Sequence, residues 1–213
     1  MSRPSRNTDK LLIQAGRKLL PETGVSGLTL RQVAAAAKVN LGMFHYHFGS
    51  KREFARRVLQ EIYEDFFKDF SMESGGAAPA IERLRRALNT LARFARDNRK
   101  LLLAIIRDVL EGEVAVTEFA KANIPRHVGI ISELVKECQR RGELKGMPLP
   151  LALSFLLGAT AMPNVAMGII EKSSAKKPFG LTLSELFPVF SADKAIAARV
   201  DLALAALVAP EAP

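Results

Sequence analysis

Within the thirteen residues Val39–Lys51, VNLGMFHYHFGSK, lie two of the chain's three histidines and one of its two tyrosines. A His-Tyr-His triplet first suggests a metal pair. On a helix, though, His45 and His47 stand about 200° apart around the axis and cannot offer two imidazoles to one ion. No Cys, Asp or Glu stands among them at ligand spacing. Neither a metal nor an organic cofactor is therefore expected.

Contact with a polyanion fits the stretch better. At about 100° per residue, Met43 and Phe44 share one side of a helix, while Leu41, Gly42, His45 and Tyr46 share the other. A merely solvated face would carry Lys, Glu and Gln. This one mixes a small apolar group, a missing side chain, an imidazole and a phenol. A glycine inside a helix costs about 1 kcal/mol relative to alanine, a penalty that close approach to a ligand surface explains. Ser50 and Glu53 have the spacing of a capping box. That puts Lys51 in the first turn of the next helix, where free N–H groups and the helix dipole favour a phosphate.

Such a face needs helices to hold it. Thr29 and Gln32 form a capping box that starts a short helix at Leu30, running to Ala37 with Leu30, Val33, Ala34 and Ala37 inward. Asn40 caps the next, over Leu41–His47, and Gly49 stops it. A first helix is expected from Thr8 or Asp9 to about Leu20, ended by the turn residues PETGVSG, and a long one from Lys51 to about Phe70. Beyond SGGAAP at 74–79, helices are expected over 81–98, 99–110, 125–141 (with Pro125 in its first turn), 148–170 and 191–208. SSAKKPFGLTLSELFP reads as an irregular connector. No alternating run suggests a sheet, so the fold is expected to be all-α.

Charge separates the head from the rest. The first 60 residues hold eleven Lys/Arg and three Asp/Glu, an excess of eight, whereas the remaining 153 hold twenty and nineteen. A basic head on a near-neutral body argues for a polyanion partner. The single cysteine, Cys138, excludes an intrachain disulfide and suits a reducing compartment. The opening MSRPSRNTDK has no apolar segment of a secretory leader, so a cytoplasmic protein is expected. No nucleophile-base-acid set and no phosphate-cradling glycine loop is present, which argues against an enzyme.

LTLRQVAAAAKVNLGMFHYHFGSKREF resembles the N-terminal helix-turn-helix of the TetR family of bacterial transcriptional regulators; the likeness covers roughly residues 8–60. It implies a three-helix DNA-binding domain over residues 1–50, and a helical effector-binding and dimerisation domain over 51–213, linked by the helix 51–70. It also implies that Thr29, Tyr46, His47 and Lys51 hold phosphates. Arg31, Leu41, Gly42 and His45 would lie against base edges in the major groove, with Asn40 among the DNA-facing set. Arg3 and Arg6 are candidates for the minor groove. The chain departs from the family at two positions. Lys38 stands where the turn glycine is usual, which leaves a strained residue or an altered turn, and His45 stands where tyrosine is usual.

One helix pair offers few base contacts, so a homodimer on a palindromic double-stranded operator is expected, paired through the helices near 150–170 and 191–208. Residues 146–170 carry no charge and are long enough to span a bilayer. Pro163 and Asn164 interrupt that run, and basic residues flank both ends without asymmetry, so an interface helix kinked at Pro163 is the preferred reading. By resemblance, an effector pocket is expected at Tyr63, Phe66, Phe67, Phe70, Phe94, Leu102, Ile106, Val109 and His127, taking an apolar small molecule. By residue type alone, any one of these is as well read as core. The expected function is a repressor released by such an effector through a pendulum-like shift of the 51–70 helix. The alternative is a DNA-binding regulator or structural protein with no effector.

Overall fold

Caps, glycine stops and 3.6-residue periodicity carry almost the whole chain. The computed structural model describes residues 7–173 and 177–209; Arg3 and Arg6 lie outside them. Eleven helices follow one another among the described residues: α1 (Thr8–Gly27), α2 (Leu30–Ala37), α3 (Leu41–Phe48), α4 (Lys51–Ser74), α5 (Ala80–Asp97), α6 (Arg99–Leu110), α7 (Val114–Arg140), α8 (Leu149–Thr160), α9 (Met162–Lys172), α10 (Leu183–Ser191) and α11 (Asp193–Leu207). A 3-10 turn, Pro178–Gly180, precedes α10. The fold is all-α, with one isolated bridge, Leu144 to Val208.

The chain divides into two compact units, the first holding residues through Asp65 together with Lys100–Asn123, the second Phe66–Arg99 together with Ile124 onward. In the first, Leu12, Leu20, Val33, Phe44, Phe54 and Val58 head a continuous apolar core. Helices α1 and α4 cross closely at Gly16. A Cβ there would lie 2.7 Å from both Phe54 Cζ and Val58 Cγ2, so any larger residue would push the crossing apart.

In the second unit, α5 buries Leu84, Leu88 and Ala92 while α11 buries Ile196, Val200 and Leu204. The apolar run of 149–172 is two helices bent by 44° at Ala161. Pro163 at the start of α9 supplies no N–H to continue the ladder. Buried Asn164 fixes the bend, its Nδ2 donating to Ala92 O at 3.1 Å and its Oδ1 accepting from Ser191 Oγ at 3.3 Å. Among the described residues no single helix is long and apolar enough to cross a membrane.

Four expected boundaries are corrected. Helix α1 runs past Pro21 to Gly24, where φ of 67° breaks it, rather than ending at Leu20. Helix α4 continues to Ser74, one turn beyond Phe70. Helix α7 starts at Val114, so Pro125 lies inside it. Its early turns are held by burial of Ala115 and Val116 and by Asn123, whose carbonyl accepts the Tyr63 hydroxyl at 2.7 Å. Finally, α10 forms within the stretch read as a connector, started by a Thr182–Glu185 capping box.

Candidate nucleic-acid interface

Helix α2 starts at the reciprocal box of Thr29 and Gln32. Thr29 Oγ1 accepts the Gln32 N–H at 3.3 Å and donates to Gln32 Oε1 at 2.8 Å, while the Thr29 N–H donates to the same oxygen at 3.0 Å. Arg31, one residue on, is exposed. The helix ends at Lys38 with φ 56° and ψ 39°, the one described non-glycine residue in the left-handed region. The lysine keeps the turn at the cost of strain, about 1–2 kcal/mol for an L-residue there.

Asn40 Oδ1 accepts the Gly42 N–H at 2.7 Å and opens α3. Phe44 is wholly buried, its ring 5.0 Å from Phe54 and 5.6 Å from Phe48. The helix therefore turns on the stripe Leu41, Phe44, Phe48, and two expectations change. Leu41, expected outward, packs partly on the core, and Met43, expected inward, is half-exposed. Gly42, His45 and Tyr46 do face solvent, Tyr46 at 70% exposure. A Cβ on Gly42 would meet only Asn40 Oδ1, at 3.3 Å. The protein itself opposes a side chain there only through that one capping oxygen.

The two histidines do separate work. His45 Nδ1 lies 3.4 Å from Gly49 O, and the ring stands edge-on to Phe44. The His47 ring stands edge-on to Tyr46 at 5.1 Å, and its Nε2 is enclosed without a hydrogen-bond partner. At the start of α4, Ser50 Oγ accepts the Glu53 N–H at 3.1 Å. The other half of the expected box is replaced, because the Glu53 carboxylate takes Arg56 instead, at 2.6 and 3.0 Å. The Arg56 guanidinium holds that carboxyl below its usual range. Lys51 Nζ donates to Ser26 O at 3.1 Å. The structure thus brings Thr29, Asn40, Gly42, His45, Tyr46, His47 and Lys51 onto one helix-turn-helix, with Arg31 exposed on its first helix.

Residues 12–58, which span that motif, match the family model described as bacterial regulatory proteins, tetR family. Through this segment the chain is similar to tetR-family regulators. It is a DNA-binding transcriptional regulator. A protein of Bacillus subtilis (strain 168) named "Probable HTH-type transcriptional regulator YttP" is 21% identical over 174 residues, 81% of this chain and 84% of that one. The HTH-type transcriptional repressor DhaR of Mycobacterium sp. (strain GP1) is 36% identical over 75 residues, 35% and 38% of the two chains. Among solved structures, the transcriptional regulator FadR of Bacillus subtilis in complex with stearoyl-CoA superposes with a TM-score of 0.69 at 15% identity, over 93% of this chain and 97% of that one. That likeness concerns fold.

The residues expected to line an effector pocket divide between the units. In the second, Phe66 packs on Phe94 at 4.4 Å and on Phe70 at 5.4 Å, with His127 edge-on to Phe66 at 5.6 Å. Phe67 lies under the Arg126 guanidinium at 4.0 Å. The rings of Phe66, Phe70, Phe94 and His127 thus form one aromatic cluster. In the first unit Tyr63 is buried, Leu102 is half-buried, and Ile106 and Val109 are exposed. An open groove of about 400 Å³ lies on α5 and α7 between Arg83, Arg126, Glu133 and Glu137. None of the nine expected lining residues faces it. Cys138 is wholly buried, and burial pushes its thiol up to about 12, with the Glu143 carboxylate adding to the rise.

Sequence reading passed over Asp108, a fully enclosed carboxylate in the first unit. Its signal was present: RD beside the apolar run LLLAII places an acid on a helix whose other side is core.

Proposed function

We propose that this regulator is a homodimeric repressor that reads a palindromic operator with α2 and α3 and is released by an apolar small molecule. One observation carries the DNA part: α3 presents Gly42, His45 and Tyr46 to solvent, and a Cβ at position 42 would press on a single protein atom, Asn40 Oδ1. In this reading Thr29, Tyr46, His47 and Lys51 take phosphates, and Arg31, Leu41, Gly42 and His45 lie at base edges, Arg31 forking onto guanine O6 and N7. Lys51 must leave Ser26 O to do so. Residues 1–50 act as the DNA-binding domain and residues 51–213 as the effector and dimer domain, in the cytoplasm.

A second copy accounts for the exposed apolar side chains of α8, α9 and α10, among them Leu151, Phe155, Ile169 and Val189. The stripe of α11 expected at that interface, Ile196, Val200, Leu204 and Leu207, is buried within the chain's own fold. From α11, only Leu202 offers a large exposed apolar side chain. The pairing surface is therefore assigned to α8–α10 more than to α11.

The stearoyl-CoA in the FadR of Bacillus subtilis favours an effector with a long apolar chain. Because the Phe66, Phe70, Phe94 and His127 rings are mutually packed, an entering chain would have to displace one of them. That same packing favours the second reading, a DNA-binding regulator with no effector. A hundredfold loss of DNA affinity needs about 2.7 kcal/mol of differential binding. The test is selection of duplex fragments from genomic DNA at low ionic strength, followed by titration with fatty acyl-CoA thioesters of graded length. Release at micromolar thioester supports the effector reading. Tight fragments that no thioester or other apolar compound releases support the second reading, and a chain that ignores duplex DNA sinks both.

A further inference from the structure

We propose that Asp108 is a positioning residue for DNA recognition, acting through a glycine socket at the end of α1. The inference rests on the DNA-facing role of α2 and α3. Asp108 is 1% exposed, and its Oδ2 accepts the Val25 N–H at 2.5 Å. Next to it, Arg107 Nη2 donates to Thr23 O at 2.6 Å and lies 3.6 Å from Asp108 Oδ1. Between these two anchor points sits Gly24, at φ 67°. A Cβ on Gly24 would overlap the Arg107 guanidinium and lie 2.7 Å from both Asp108 carboxylate oxygens. Backbone conformation and space both demand a residue with no side chain there, and α6 fills the opening. On the rim, Lys100 Nζ donates to Glu22 Oε1 at 2.8 Å, so residues 22, 23 and 25 are each held by α6.

The strap that leaves this socket leads directly to the DNA-facing residues. Val25 is pinned by Asp108, Ser26 O accepts Lys51 Nζ, Leu28 is buried, and Thr29 caps α2. Two of the four pins, Lys51 and Thr29, are groups assigned to phosphates. The third is the one hydrogen bond that the Asp108 carboxylate makes among the described residues, its Oδ1 being enclosed without one. A buried carboxylate with one donor and a neighbouring guanidinium is a contact that is made or lost as a unit, because a half-engaged charge in that setting is poorly solvated. While it is engaged, the strap holds Thr29 and the start of α2 where a phosphate can meet them. Reciprocally, DNA that draws Lys51 from Ser26 leaves the strap more dependent on Asp108.

Duplex fragments that the full-length wild-type chain selects from sheared genomic DNA, together with amide hydrogen exchange, test this. Asp108→Ala and Gly24→Ala, which break the socket from opposite sides, should each weaken fragment binding at least tenfold and speed exchange at residues 25–29. Asp108→Asn, which keeps a carbonyl oxygen for the Val25 N–H, should recover most of both. A purely stabilising role would lower the melting temperature in all three without this pattern, and that result overturns the proposal. Wild-type exchange stands if the alanine variants do not fold. DNA should raise protection at Val25, and a Val25 amide that exchanges freely with or without DNA overturns the proposal. If the wild type selects no fragments, the DNA-facing reading itself has failed and this inference with it. If it selects them and Asp108→Ala binds equally well, only the inference has failed.

Discussion

Replacing Gly42 by alanine separates the stability of the head from its recognition surface. Within the protein the new methyl group meets one atom, Asn40 Oδ1 at 3.3 Å, which must give by a few tenths of an ångström. Loosening that cap costs at most about 1 kcal/mol. Against it stands the helix preference of alanine over glycine, about 0.8–1.0 kcal/mol in a helix interior and less in a first turn. The two terms nearly cancel. For a chain of this size 1 kcal/mol moves the melting temperature by roughly 2–4 °C, so Gly42→Ala should melt within about 3 °C of the wild type. On DNA the same methyl enters the space between α3 and the base edges. Loss of that close approach should weaken fragment binding at least tenfold, about 1.4 kcal/mol. Circular dichroism melts and fluorescence anisotropy on selected fragments measure the two effects separately. Unchanged affinity with an unchanged melt would mean that α3 does not approach the bases at Gly42, and the assigned reading face would be wrong.

Lys51→Ala should weaken binding to all duplexes and lower the slope of log affinity against log salt by about 0.9, and an unchanged slope removes the lysine from the phosphate set. Tyr46→Phe, which removes an uncharged hydroxyl, should weaken binding to all duplexes with the slope unchanged, and undiminished binding removes the tyrosine. Arg31→Ala should behave differently, costing about 1–3 kcal/mol on the preferred fragment while leaving random duplexes nearly unaffected. Lys38→Gly, which relieves the left-handed strain but adds freedom to the unfolded chain, should stabilise by about 0.5–1 kcal/mol, and a lower melting temperature would refute the strain. The Cys138 thiol, held at about 12 rather than its ordinary 9.0, gives stability that is intact below about pH 9 and declines as pH rises towards 12. Denaturant midpoints across that range should fall for the wild type, and fall less for Cys138→Ala; equal slopes would exclude the thiol as the source.

Much of the head was legible because its signals are local. The Thr29–Gln32 box, the Asn40 cap and the Gly49 stop act over two to four residues, and each is found where its spacing puts it. On α3 a single turn is too short to fix the axis. Local spacing pairs Met43 with Phe44 inward, whereas the longer stripe Leu41, Phe44, Phe48 sets the orientation. Beyond the head, tertiary contacts override local rules. Pro125 reads as a helix start, yet Tyr63, Gln60 and buried Val116 hold the chain helical for eleven residues before it. The end of α1 departs from expectation for a related reason, since PETGVSG looks like a loop until Arg107 and Asp108 grip Thr23 and Val25 from 84 and 83 residues away, respectively. Thr182 and Glu185 were a missed local signal, the same T-x-x-E/Q spacing that marked α2. The expected effector residues were plausible by type, but aromatic rings spaced to share a helix face pack on each other as readily as on a guest.

The 44° bend at Ala161 has a geometric consequence for whatever covers this part of the protein. Leu151 and Phe155 project from one axis, Met162 and Ile169 from another, so their exposed side chains cannot form a single straight ridge. The Asn164 staple to Ala92 and Ser191 prevents the two axes from aligning without stripping buried polar atoms of their bonds. A covering surface must therefore be angled to match, and a straight rod can seat on one half only. Shape, before any particular side chain, already selects among companions.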